Sequence, residues 1–223
     1  MTLFPSFVYN GSMISYCIRT NYAKVRELQE TIKSIQRQQG DKEIIVVGVM
    51  PSYDPYYKDV SFYDMSAEAK DGRTSAMRDK GFEMANGEFI VAMDDDILLA
   101  TDFQENIGTE DIQIPICENI RGGRFWDWAV LNHPELGHTK IDYDVPYSEY
   151  NYLSGQVFVI KSSVAKQVQH DLELKFHQSD DVAYGVRLQK AGYSFTMNTK
   201  LKTIHNDPRY YPVLDDKGVM KFG

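Results

Sequence analysis

Between residues 12 and 50 the chain changes period twice. SMISYCI (12–18) is a short apolar run that predicts a first β-strand. In the RTNYAKVRELQETIKSIQRQQ that follows, Val25, Leu28, Ile32 and Ile35 recur every three or four positions. That spacing puts one apolar stripe on a helix of about four turns. KEIIVVGVM (42–50) is again a short, nearly continuous run rich in β-branched residues, the pattern of a strand covered on both faces. Strand, helix and strand at this spacing form a βαβ unit and open a parallel sheet.

PSYDPYYKD then reads as a turn-rich loop, and GRTSAMRDKGFEMAN as a helix closed by Asn86-Gly87. EFIVAM is a strand that runs straight into Asp94, Asp95 and Asp96. From about 101 to 150 the periodicity loosens. This stretch holds both tryptophans, Trp126 and Trp128, and Gly122-Gly123, a candidate hinge. Order returns with GQVFVI as a strand and SSVAKQVQHDLE as a helix. SDDVAYGVRLQKAGY predicts a further helix ended by Gly192, and SFTMNTKLKTIHND the last strand or two. No repeat, low-complexity tract or linker interrupts the pattern, so the expectation is one α/β domain over residues 1–223 with a less regular insertion.

Composition narrows the function classes. Apolar content of 43% and charged content of 25% are those of an ordinary globular chain, and 223 residues suffice for one well-buried domain. A net charge of −8 argues against a general nucleic-acid binder, although a divalent cation could still bring a nucleotide to an acidic site. Cys17 and Cys117 both lie in apolar segments, which predicts buried free thiols and a reducing compartment. The N-terminus shows no basic region followed by an apolar one, and no apolar run approaches the roughly 20 residues of a membrane span. The expected setting is therefore cytoplasmic and soluble, either as a whole chain or as a domain of a longer one.

The aspartate triplet carries the chemistry. Three adjacent carboxylates repel one another, and after a buried strand that cost requires a cation or strong hydrogen bonds. In open α/β sheets ligands sit beyond the carboxyl ends of the strands, which is where Asp94–Asp96 fall. Asp180 and Asp181 stand at the start of a later helix, where they could cap it, as could Ser179. His205 follows the last strand signal; His133, His138, His170 and His177 have no comparable context and stay unassigned.

Taken in order, these pieces resemble a nucleotide-sugar glycosyltransferase of the GT-A fold, and are most similar to glycosyltransferase family 2. Ile18-Arg19-Thr20-Asn21 echoes that family's opening strand, and ETIKSIQRQQGDKEIIVVG its second helix and strand. SAMRDKGFEMANGEFIVAMDDD parallels its Ala-Arg-Asn-x-Gly stretch, with Arg78 and Gly81 in place, followed by the Asp-x-Asp motif as Asp94 and Asp96. YLSGQVFVIKSSV resembles the glycine-containing segment before the acceptor side, and SDDVAYGVRLQKAGY the late acidic motif. The match runs over roughly residues 12–207. Two departures stand out. The family's uracil-binding carboxylate has no equivalent at Gly48, Val49, Met50 or Pro51, which leaves Asp54 and Asp64 as nearby candidates. The late acidic pair is Asp180-Asp181 rather than Glu-Asp.

The resemblance implies a mostly parallel, Rossmann-like sheet, with a nucleotide-binding half over about 1–100 and an acceptor-binding half over about 101–223. It also implies a metal-dependent, inverting transfer of a hexose or deoxyhexose, with a UDP-sugar ahead of other donors, to a hydroxyl of a glycan or glycoprotein. Mn²⁺ or Mg²⁺ would sit on Asp96 with Asp94 and His205. Thr20, Arg78, Asp94 and Asp95 would bind the donor. Asp181 would be the general base, with Asp180 as the alternative, and Trp126, Trp128 and Gly155 would meet the acceptor. A retaining GT-A enzyme, a sugar-nucleotide pyrophosphorylase and a degenerate carbohydrate-binding module remain open alternatives at this level.

Overall fold

The computed structural model describes residues 12–50 and 57–207 in full, and the backbone alone of the short strand pair 213–214 and 220–221. Asp54 and Pro51 lie outside the described residues.

The opening βαβ unit forms as the pattern predicts: β1 (Ile14–Thr20), α1 (Val25–Gln36) and β2 (Lys42–Gly48). Alternation along β1 sends Ile14, Tyr16 and Ile18 to one face, where Leu28, Ile32 and Ile35 of α1 cover them, and Cys17 to the other. Val25, the first residue of the stripe, is 38% exposed at the helix start. Each of the three fully buried aliphatic side chains on α1 contributes about 1.5–3 kcal/mol of transfer free energy. β3 (Val60–Asp64) and the short α2 (Ser66–Lys70) follow, and then α3 (Thr74–Met84). α3 packs Met77 and Phe82 on the Cys17 face, where Gly81 lets the helix come close: a Cβ there would lie 3.2 Å from that of Cys17.

β4 (Phe89–Asp94) and β5 (Ile97–Leu99) are separated only by the aspartate turn. The remaining strands are β6 (Ile112–Asn119), a hairpin of β7 (Ala129–His133) with β8 (Gly137–Lys140), β9 (Val157–Lys161) and β10 (Thr196–His205). Helices α4 (Ser162–Gln167) and α5 (Asp180–Lys190) complete the second half. Eight strands make one sheet in the order β3-β2-β1-β4-β9-β6-β10-β5. The first four are mutually parallel, β9 runs antiparallel to both neighbours, and β6 and β10 are parallel again. The expected α/β sheet flanked by helices is thus present, with its second half rebuilt around β9.

Two predicted elements differ. The helix expected over SSVAKQVQHDLE stops at Gln167, and Val168 is already extended. Beyond it, the His170 backbone and ring are claimed by the Asp79 carboxylate of α3, with Nδ1 at 2.5 Å. Tertiary hydrogen bonds to α3 thus outweigh local helix propensity. The last segment is one strand, β10, with an irregularity between Asn198 and Lys202 in its pairing with β6. Among the described residues no helix is long and apolar enough to cross a membrane.

Candidate active site

The parallel strands β1 and β4 end side by side, with Arg19 in register with Asp94. This is the carboxyl edge of the sheet at the point where the chain order turns from β1 outward, a place where folds of this kind bind ligands. An open cleft of about 700 Å³ lies there, and its wall includes Thr20, all three aspartates, Asp181 and His205.

Each aspartate of the triplet meets a different partner, so three adjacent carboxyl groups can coexist. Asp94 is held by Arg19, from Nε at 2.5 Å and Nη2 at 3.2 Å, with Arg78 Nη2 3.3 Å from the same Oδ1. Burial pushes the Asp94 carboxyl up, but the two guanidinium groups win and hold it below the usual carboxylate range. Asp95 turns inward, where its Oδ2 accepts from Thr20 Oγ1 at 2.6 Å and its carbonyl accepts from Thr31. Burial, reinforced by Asp96 and Asp94 against the Thr20 bond, raises its carboxyl to about 7. Asp96 is 1% exposed and meets the Lys24 ammonium at 2.5 Å through Oδ2. His205 Nε2 lies 3.4 Å from that same oxygen.

The long strand β10 brings His205 to the triplet. It pairs antiparallel with β5, setting His205 against Ile97, and the Asn206 amide then donates to the Asp96 carbonyl at 2.7 Å. Phe125 stacks on the His205 ring at 4.3 Å and 12°, fixing its plane. Two residues on, buried Asp207 offers Oδ2 to the Lys24 ammonium at 2.6 Å. Burial pulls the Lys24 pKa down, but hydrogen bonds to Asp207 and Asp96 more than reverse this, so the amine stays charged.

The opposite wall is built by α5 and the turn before β9. The two acidic residues at the start of α5 divide their work. Asp180 is buried, accepts from Thr74 Oγ1 at 2.7 Å and lies 3.5 Å from Arg19 Nη1. Asp181 faces the cleft, half-buried, and takes the Gly155 amide at 3.0 Å on Oδ2 and the Val182 amide at 2.8 Å on Oδ1. Neither Asp180 nor Ser179 caps the helix in the expected way, since Ser179 sits in the left-handed region (φ 57°) with no side-chain cap bond.

Several expected contacts fall elsewhere. Arg78 is 5% exposed and stands behind Asp94, bonded to the Gly155 carbonyl, so it braces a cleft residue and does not form part of the wall. Arg19, unassigned from sequence, takes the wall position. Trp128 is buried, with its indole N–H on the Val145 carbonyl, and Trp126 stacks on His138. Neither ring lines the cleft, because Trp128 is packed into the main core and Trp126 lies half-buried against His138; Phe125 and Phe176 are the phenyl rings that do. Gly122 and Gly123 (φ 85° and 92°) shape the turn after β6. Asp64 is exposed and accepts from the Ser66 amide and hydroxyl at the end of β3, outside the cleft wall. The cysteines are free and buried as expected, and burial raises both thiols, Cys117 to about 12. Lys24, Asp207 and Phe125 were also missed. Only Asp207, two residues after His205, had a local signal; Lys24 and Phe125 are ordinary until β10 folds against them.

A galactosyltransferase family model matches residues 57–199, more than half of the chain. The chain belongs to the galactosyltransferase family. No curated protein matches the sequence. Among solved structures, GalNAc-T7 with UDP, GalNAc and Mn²⁺ is similar at a TM-score of 0.67 and 12% identity, over 90% of this chain and 46% of that one. Residues 1–349 of S. aureus TarS are similar at a TM-score of 0.56 and 16% identity, over 89% of this chain and 59% of that one. A longer TarS structure gives 0.58 and 14%, over 87% and 37%. The chain thus spans roughly half the length of the solved structures it resembles. These likenesses establish the GT-A fold, in agreement with the family match.

The donor set fits one hard divalent cation only in part. Asp96 Oδ2 and His205 Nε2, 3.4 Å apart, can take neighbouring positions on an ion with bonds of about 2.1 Å. Among the described residues no three carboxylate, imidazole or thiol donors converge on one point, and Asp94 is already engaged by Arg19. Among the described residues these two side chains are what the chain could offer such an ion, with the other positions left to phosphate and water.

Proposed function

We propose that this chain transfers a hexose or deoxyhexose from a nucleotide sugar, a UDP-sugar first, to a hydroxyl of a glycan or glycoprotein, with inversion at the anomeric carbon. The observation that carries this reading is the placement of the Asp96–His205 pair and Asp181 in the wall of one cleft. One wall can then hold the leaving diphosphate while the other receives the acceptor.

In this reading Asp96 and His205 bind Mn²⁺ or Mg²⁺. When bound, such an ion stabilises the negative charge that develops on the departing diphosphate. Thr20 and Asp95 line the donor side with Asp94, whose carboxylate is oriented by Arg19 and braced by Arg78. Asp181 accepts the proton of the acceptor hydroxyl as that oxygen attacks. The Gly155 amide holds the Asp181 carboxylate toward the cleft. Asp180 is the poorer base because Thr74 already donates to it and it is buried. The GalNAc-T7 structure contains UDP, GalNAc and Mn²⁺, which supports the donor and metal classes and, with the galactosyltransferase family match, makes UDP-galactose and UDP-GalNAc the first donors to try. The proposal extends to one catalytic unit with a donor half to about residue 100 and an acceptor half beyond it. Two buried free thiols support a cytoplasmic setting.

Calorimetric titration of UDP and GDP with Mn²⁺ and with EDTA tests the donor side. We expect Mn²⁺-dependent UDP binding that Asp96→Ala abolishes. Asp181→Asn should keep that binding while turnover falls by about 10²–10⁴-fold, and NMR of the product should show inversion. Equal UDP binding in EDTA, wild-type turnover in Asp181→Asn, or a retained anomer would each overturn the corresponding part of the reading.

A further inference from the structure

One cation is already built into the donor site. Asp96 and Asp207 are each 1% exposed, and both direct Oδ2 at the Lys24 ammonium, at 2.5 and 2.6 Å. Two carboxylates this deeply buried need a compensating group between them, and the ammonium supplies it. The oxygen of Asp96 that takes the ammonium is also the one that faces His205 Nε2 at 3.4 Å. A divalent cation on the Asp96–His205 pair and the Lys24 ammonium therefore compete for a single atom. Lys24 lies on the segment between β1 and α1, lines the cleft, and carries its charge on a four-carbon stem that can swing.

We propose that Lys24 is a further donor-binding residue, which holds the metal position while the donor is absent and passes its ammonium to the donor's diphosphate when metal and nucleotide enter. The inference rests on the donor-site reading above. A metal ion arriving alone must displace the ammonium from Asp96 and leave it without that anion. A metal ion arriving with a diphosphate brings phosphate oxygens that accept the ammonium. Metal and nucleotide affinities are then positively coupled through Lys24, and the coupling is reciprocal.

The test measures free Mn²⁺ by electron paramagnetic resonance and UDP by calorimetry, on the full chain and on Lys24→Met. For the wild type we expect weak binding of Mn²⁺ alone, strengthened about tenfold or more by UDP. In Lys24→Met, Mn²⁺ alone should bind about tenfold tighter, UDP should bind about tenfold weaker, and the mutual enhancement should largely vanish. Mn²⁺ should also raise the melting temperature of Lys24→Met more than that of the wild type, because the ion restores the charge removed from Asp96. Lys24→Arg, which keeps the cation, should behave like the wild type. Wild-type protein that binds Mn²⁺ equally well with and without UDP would overturn the proposal even if Lys24→Met does not fold, while leaving the glycosyltransferase reading in place. Unchanged Mn²⁺ affinity in a folded Lys24→Met would do the same. Absence of any UDP or GDP binding in the wild type would remove the donor-site reading and this inference together.

Discussion

At the scale of single residues, the triplet shows how neighbours of identical chemistry acquire different roles. Asp94 is ionised between two guanidinium groups, Asp95 is raised to about 7 by burial, and Asp96 shares its oxygen with an ammonium and an imidazole. A pleated strand entering a turn points successive side chains in different directions, so each meets different neighbours. The same holds for Asp180 and Asp181, of which only the second faces the cleft. Gly155 is the residue on which this arrangement can be tested most sharply. A Cβ there would lie 2.8 Å from that of Asp181 and 2.9 Å from its Oδ2, so Gly155→Ala must push the carboxylate aside. Turnover should fall by about 10²-fold while UDP affinity stays near the wild-type value, because the displaced group is placed on the acceptor side. Loss of UDP binding in that variant would put Asp181 on the donor side instead.

At the scale of elements, β1, β2 and β4 were legible because each is a short apolar run bounded by polar signals, and α1 because three of its four stripe residues are buried. The helix after β9 was misread at its end because Val168 and His170 obey tertiary bonds to α3 that no local pattern encodes. The close approach of β1 and β2 at the cleft edge depends on Gly48. Its φ is 138°, and a Cβ would lie 1.8 Å from the Thr20 carbonyl oxygen. That contact also gives a steric reason why no carboxylate occupies this position, where the resembling family places its uracil ligand. Gly48→Ala should cost at least about 2 kcal/mol in urea unfolding, since both the backbone conformation and the contact are unfavourable. It should also weaken UDP binding, because Thr20 carries the hydrogen bond that positions Asp95.

At the scale of the whole molecule, the two halves of the sheet are joined beneath the cleft, and buried polar ties lock α3 to the segment before α5. His170 is the centre of that tie: its ring stacks on Tyr184 of α5 at 3.6 Å and bonds Asp79 of α3. Burial lowers its pKa, the Asp79 bond and the more distant Asp180 oppose this, Arg78 adds to it, and burial prevails. The fold thus favours the neutral imidazole. The stability this confers is present above the unfolded pKa of about 6.5 and is lost as pH falls below it toward the folded value. Thermal melting of the wild type should therefore decline on going from about pH 7.5 to about pH 5. His170→Phe, which keeps a stacked ring without a titrating group, should show a smaller decline. An equal decline in both would assign the acid sensitivity to other groups.

The amino-acid sequence by itself determined the opening βαβ unit, the α3–β4 and β9–α4 successions and α5, the α/β class, the placement of the aspartate run at a strand end, and the burial of both cysteines. These follow from hydrophobic period, from β-branched content and from turn residues, all local quantities. β3, β6 and the β7–β8 hairpin lay in stretches whose pattern named no element. Only the tertiary structure decided which carboxylates face the cleft, that Arg19 and not Arg78 forms its wall, that both tryptophans turn away, and that Lys24 and Asp207 join Asp96. Each of those outcomes depends on groups brought together from positions distant in sequence, Lys24 and Asp207 being 183 residues apart. A side chain's charge state and direction are set by such neighbours, and no periodicity along the chain records them.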